Sequence, residues 1–260
     1  MFSARALSEP VEAVRTAHAP EALVFDCARD FETLAPAQAE ELAFAVDALE
    51  PATYPDSWLP ADAPRLLERY AGSDLTVGMP GDGSIVWTRQ TDPPAVLVKA
   101  RVEGSPEAFL DFLLAEALVE VGLDVPEHFL GFFEASYRDL DEAVPLGPTG
   151  TYQIAAALYD GWVGLQTREV FAEWHASQPA LADAWQDAGD RLTGRVSDLP
   201  RAVARGETAF EDATELACAA IKHAIELPAP FAALETEAYR DHGPAYAIRW
   251  AEKTFDALAE

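Results

Sequence analysis

Lysine is almost missing from this chain: Lys99, Lys222 and Lys253 are the only three, and the remaining members of its 18 basic residues are arginine. Against them stand 45 acidic residues, for a formal net charge of -27. Duplex binding relies on Lys and Arg to displace counterions from phosphate, so this deficit excludes a nucleic-acid binder. Cysteine is equally scarce. Cys27 and Cys218 lie far apart, without a C-x-x-C pair or a histidine at finger spacing. That excludes a disulfide framework and a zinc finger, and two reduced, buried thiols are expected. Long apolar runs are absent too, since none approaches the ~18 residues that a membrane helix needs. The opening stretch MFSARALSEPVEAV meets Glu9 and Pro10 before any apolar h-region forms, so no signal peptide is expected. These absences together predict a soluble, cytoplasmic protein.

What is present points the same way. Half of the 260 residues are hydrophobic, enough for a sizeable core in one large domain or two small ones. The acids are dispersed along the chain rather than gathered in a disordered tail. In ordinary salt such a charge repels itself. At molar salt the Debye length falls to about 3 Å and most of that cost disappears. Guanidinium, weakly hydrated and bidentate toward carboxylates, suits such a surface better than ammonium.

Periodicity divides the chain into three stretches. Residues up to about 70 read as short helices broken by proline; Pro36 to Leu49 places Leu42, Ala45, Val46 and Leu49 on one face. Leu75–Met79, Ser84–Gln90 and Ala95–Val102 are β-branched and aromatic and are separated by PGDG and TDPP. They predict a three-stranded antiparallel meander. After Ser105 the pattern is helical. Ser105 is the expected N-cap and Gly122 the end of one helix, and further helices are expected over roughly 151–176, 179–195, 208–227 and 231–258. VPLGPTG, residues 144–150, is the candidate linker. The fold class is therefore α+β: a small three-stranded antiparallel meander packed against a predominantly helical body. It divides into an α+β region, 1–145, and a helical region, 146–260, or forms one continuous domain.

The dispersed acids and the arginine-for-lysine bias, together with SPEAFLDFLLAEALVEVGLDVPEHFLGFF and GTYQIAAALYDGWVGLQTREVF, resemble an uncharacterised haloarchaeal protein family. The resemblance implies a salt-adapted cytosolic protein and carries no mechanism. Residues 74–140 also resemble a degenerate zincin core, strands followed by two helices. A zincin carries H-E-x-x-H on the first helix, where two histidines hold zinc and Glu activates water. Here the matching positions read Ala115-Glu116-Ala117-Leu118-Val119, so Glu116 fits the base while both histidines are missing. Glu134, the only carboxylate placed to be a third ligand, should point away from the core of its own helix.

Two groups of residues stand out as candidate sites. Glu116 and Glu120, at i, i+4, fall on one edge of a helix that is apolar almost all round, and they are the candidate catalytic carboxylates. More commonly such a pair is the wet edge of an amphipathic helix. Arg89, Lys99 and Arg101 gather in WTRQTDPPAVLVKAR, where only Asp92 offsets them. The pleat sends Val96, Val98, Ala100 and Val102 toward the helices and Leu97, Lys99 and Arg101 toward solvent. These cations are the candidate binding residues, for an anionic ligand or a partner's acidic face; the plainer reading is an outer face paired with nearby acids. None of His18, His128, His175, His223 and His242 is three or four residues from another, so no metal site is expected, and no cofactor is implied. GDGS at 81–84 leads into a strand and reads as a turn rather than a phosphate loop. The aromatics Trp162, Trp174, Trp185 and Trp250 read as core, with Gly161 and Gly164 between them to admit another backbone. The function these features predict is a non-catalytic interaction or regulatory protein. The alternative is a diverged metallopeptidase-like hydrolase acting through Glu116 and Glu120.

Overall fold

A computed structural model describes residues 2–259 of the chain. Two compact units emerge, each built from separate stretches. The first comprises Met1–Thr53, Arg69–Glu127 and Gln178–Ala184; the second comprises Tyr54–Glu68, His128–Ser177 and Trp185–Glu260.

The chain runs β1 (Phe2–Ala4), α1 (Glu9–His18), β2 (Leu23–Cys27), α2 (Pro36–Leu42), β3 (Ala48–Leu49) and α3 (Arg65–Ala71), then β4 (Ile85–Thr88), β5 (Thr91–Asp92), β6 (Ala95–Val98) and α4 (Glu107–Gly122). The class is α+β, as the residue pattern predicts, but the sheet is mixed rather than a three-stranded meander. Its order is β1-β2-β6-β4. The antiparallel β4–β6 pair is the expected hairpin, with Ile85 opposite Val98 and Thr88 opposite Ala95. β2 then lies parallel to β6, Leu23 opposite Ala95, and β1 is antiparallel to β2. The expected first strand, Leu75–Met79, forms no ladder; Leu34 N–H donates to the Val77 carbonyl there instead.

Two faces of this sheet are covered, which explains why every residue of β6 is buried. On one side α4 packs on β4 and β6, and α1 packs on α4. Gly122 marks how close the two helices come: a Cβ there would lie 2.3 Å from the His18 carbonyl oxygen. α1 is charged to suit its dipole, with Glu9 and Glu12 in the first turn and Arg15 and His18 in the last. On the other side Phe25, Cys27, Val86, Ala95 and Leu97 form a second core with Phe31, Leu34, Leu42 and Val77. The expectation that this second face is wet is overturned, because residues 31–46 and 75–77 fold across it.

The second unit is helical: α5 (Phe129–Phe133), α6 (Tyr137–Ala143), α7 (Gly147–Ser177), α8 (Pro179–Ser197, of which Trp185 onward belongs to this unit), α9 (Leu199–Ala204), α10 (Phe210–Ile221) and α11 (Glu237–Ala259). Of the expected linker 144–150, only 144–146 lie outside a helix, because α7 begins at Gly147. The second helix of the zincin-like stretch, the one expected to carry Glu134, breaks at that exposed residue, whose φ of 50° is left-handed. α7 and α10 pack most extensively, and glycine makes this possible. A Cβ on Gly161 would meet Ile221 at 3.0 Å and Cys218 at 3.1 Å, and one on Gly164 would meet the Lys222 backbone nitrogen at 3.0 Å. Trp174, Trp185 and Trp250 are core residues and Trp162 is half-buried; Trp162 donates to the Arg240 carbonyl and Trp250 to that of Pro230, each at 3.0 Å.

Candidate functional site

The three candidate cations have three different surroundings. Arg89 follows β4, and its guanidinium reaches the end of α4. There it donates to the carbonyls of Glu120 at 3.1 Å, Val121 at 3.0 Å, Val125 at 2.8 Å and Leu123. Helix ends leave their last carbonyls without intrahelical donors, and a cation there also complements the dipole. Arg89 is therefore engaged as a C-terminal cap, and its charge lies 5.1 Å over the Trp87 ring. Beside it the Glu127 carboxylate accepts from Arg89 N–H at 2.9 Å and from Gln90 Nε2 at 2.7 Å. Burial pushes the Glu127 pKa upward against those bonds.

Lys99 is fully buried, at 0 % exposure, where the pleat alone predicts solvent. Its Nζ lies 5.1 Å over the Phe31 ring and, among the described residues, has no hydrogen-bond partner. Burial lowers its pKa, and the nearby charge of Asp82 opposes that shift. Burial likewise lifts Asp82 to about 6, with Lys99 pulling it back. The Asp82 carboxylate closes the turn at 79–82 by accepting from Met79 N–H at 2.5 Å. Arg101 is exposed and paired: it bonds Asp30 at 2.8 Å, Glu32 at 2.6 Å and the Phe31 carbonyl at 2.9 Å. Arg89, Lys99 and Arg101 thus serve a helix end, a core and an acidic loop, and do not form one acceptor.

The candidate carboxylates lie on α4. Glu116 is buried at 7 % exposure, where the commoner wet-edge reading places it in solvent. Glu120 accepts from Trp87 Nε1 at 2.7 Å. Among the described residues no group of three or more His, Cys, Asp or Glu side chains could hold a metal ion.

One surface feature escapes the periodicity argument. α2 stops at Leu42, well before the Leu49 end that the pattern predicts, and the chain turns at 43–45. Leu42 stays in the core while Phe44, off the apolar face, is 93 % exposed. Glu40, Glu41 and Asp47 flank it and are exposed. Asp92, also exposed, sits opposite Ala48 in the β3–β5 ladder. A signal for this region does exist in the residues. From Asp30 to Pro64 there are the acids Asp30, Glu32, Glu40, Glu41, Asp47, Glu50, Asp56 and Asp62, and no lysine or arginine. Phe44 is the large apolar side chain that interrupts this acidic run without entering the core.

Residues 1–258 match a family of unknown function, DUF7089, and the chain belongs to that family. No curated protein and no solved structure matches it. No helix of the described residues is long and apolar enough to cross a membrane.

Proposed function

We propose that this member of the family is a non-catalytic interaction protein that docks through Phe44 onto a protein surface offering an apolar pocket rimmed by arginine or lysine. The observation that carries the reading is a phenylalanine 93 % exposed amid carboxylates. Leaving such a side chain in water forgoes about 2 kcal/mol of burial, which a partner pocket recovers. The acidic surround selects a basic rim by charge complementarity and disfavours a second copy of this chain. The same reading is supported by Arg89 and Glu120 being bonded within the first unit and by Glu116 and Lys99 being buried there.

The test is affinity purification of the tagged full chain at molar KCl, with Phe44→Ala and Phe44→Trp in parallel. Expected is a stoichiometric partner with a basic surface, lost with Phe44→Ala and kept with Phe44→Trp. Stability of Phe44→Ala should stay within ~0.5 kcal/mol of the parent, because the side chain packs on almost nothing. A partner retained equally by Phe44→Ala, a captured second copy, or a protein recovered alone each sinks the proposal.

A further inference from the structure

The sheet of the first unit ends on β4, and the pairing pattern leaves one side of that strand open. Ile85 stands opposite Val98 and Thr88 opposite Ala95. Lys99 N–H donates to the Ser84 carbonyl at 2.9 Å, which fixes the phase of the ladder. Bonded and non-bonded pairs alternate along antiparallel strands, so Ser84, Val86 and Thr88 turn their backbone groups toward β6. The far side of β6 agrees. Leu23 N–H donates to the Pro94 carbonyl at 2.9 Å, which gives Pro94, Val96 and Val98 to β2 and leaves Ala95, Leu97 and Lys99 to β4. Ile85 and Trp87 therefore turn their N–H and C=O outward.

β4 has no second neighbour in the sheet. Among the described residues no backbone or side-chain group bonds the outward N–H and C=O of Ile85 and Trp87. At the next outward position the Glu127 carboxylate takes the Arg89 N–H at 2.9 Å, so the open edge ends there. The Ile85 and Trp87 side chains are half-buried rather than sealed in the core. Proteins guard open edges with lysine, proline or a bulge. Ile-Val-Trp-Thr has neither lysine nor proline, and its register with β6 runs unbroken. β1, at the other edge, is only three residues long.

The geometry points to β4 as a docking edge for an extended, arginine-bearing segment of a partner protein, added to the sheet as a further strand. Donors and acceptors alternating at Ile85 and Trp87 match the backbone of such a strand and set its register. Trp87 Nε1 donates to Glu120 on α4 at 2.7 Å, so Ile85, two residues before it, shares that face and offers apolar surface to the incoming side chains. The acids decide the charge of the segment. Asp82 precedes the strand, Glu120 borders Trp87, and the chain carries -27 overall. Arg89, 5.1 Å over the Trp87 ring, is already engaged with the carbonyls at the end of α4. A second copy is disfavoured, because β4 against β4 brings two acidic surfaces together. This inference rests on backbone pairing and is independent of the Phe44 reading.

The experiment measures amide exchange in the full chain, alone and with a hexapeptide of alternating valine and arginine. It uses the lowest KCl concentration that keeps the chain folded, and an alternating valine–glutamate hexapeptide is the control. In the free chain Val86 and Thr88 should exchange about tenfold more slowly than Ile85 and Trp87. Saturating valine–arginine peptide should slow Ile85 and Trp87 by about tenfold, and the valine–glutamate peptide should bind about tenfold more weakly. Ile85→Pro removes one outward N–H at a position where an edge strand tolerates proline, so it should abolish binding with β6 still protected. Should Ile85→Pro lose the ladder itself, the exchange pattern of the parent chain decides alone. Ile85 and Trp87 protected in the free chain, no added protection with the valine–arginine peptide, equal binding of the control, or full binding by folded Ile85→Pro would each overturn the assignment.

Discussion

The two units solve the burial of polar groups in opposite ways. The first takes formal charges inside: Lys99 against Phe31, Glu116 on α4, and Glu127 beneath Arg89. The second buries neutral rings instead. His128 caps α5 by accepting from Leu130 N–H at 3.0 Å, and His223 donates to Trp185, among the packed aromatics Phe171, Trp174 and Trp250. Charges must be compensated by carbonyls, carboxylates and ring faces, which ties distant segments together. Neutral imidazoles need only one bond each but penalise protonation. The lesson is that one acidic chain contains two interiors with different vulnerabilities.

Removing the compensating cation should have the largest effect on this contrast. Arg89→Ala frees the carbonyls of Glu120, Val121, Leu123 and Val125 and leaves Glu127 without a neighbouring charge. A loss of about 3–5 kcal/mol is expected in urea unfolding at molar KCl, localised to the first unit by amide exchange. Protection unchanged around α4 would show that the guanidinium is not its cap.

Acid should separate the units next. His223 and His128 have folded pKa values depressed to about 4 and about 3 from 6.5. The unfolded chain binds these protons first, so stability of the second unit is complete above 6.5 and falls as pH drops toward 4. For His223 the loss is on the order of 3 kcal/mol at most. Asp82 behaves oppositely: its folded pKa of about 6 lies above the ordinary 3.8, so its contribution is full below 3.8 and is lost as pH rises through 6. Glu127 is shifted in the same direction. Residue-resolved amide exchange at pH 7 and pH 5 should show protection falling around α8 and α10 and rising around 79–84. Parallel behaviour of the two regions would contradict the comparison.

The smallest effect, of opposite sign, belongs to Lys99. Its ammonium has no hydrogen-bond partner among the described residues, and methionine matches its shape. Lys99→Met should be neutral or stabilise by about 1 kcal/mol, whereas Lys99→Glu should unfold the region. Thermal melts of both variants distinguish a buried cation that is tolerated from one that is required.

Much of the local structure is legible in particular residues. TDPP and the β-branched runs on either side reveal the β4–β6 pair, whereas Asp82-Gly83 follows a run that forms no ladder, and Gly122 marks the end of α4. Pro106 shifts the start by one: it is the N-cap, and the helix begins at Glu107. β1 and β2 escape notice because Leu23–Cys27 is short, and its parallel partner begins at Ala95. Parallel pairing has no adjoining turn for a local pattern to register. Among the candidate sites, the cap role of Arg89 depends on where α4 ends in space. The exposure of Phe44 depends on α2 ending at Leu42.

The sequence alone determined the charge of -27, the α+β class and the glycines that let α7 and α10 approach, because composition and spacing act locally. Only the tertiary structure decided that Lys99 is dry, that Arg101 meets Asp30, and that Trp185 fixes the tautomer of His223. Each of those outcomes turns on which remote segment covers a face, and burial is a property of the covering segment as much as of the residue covered.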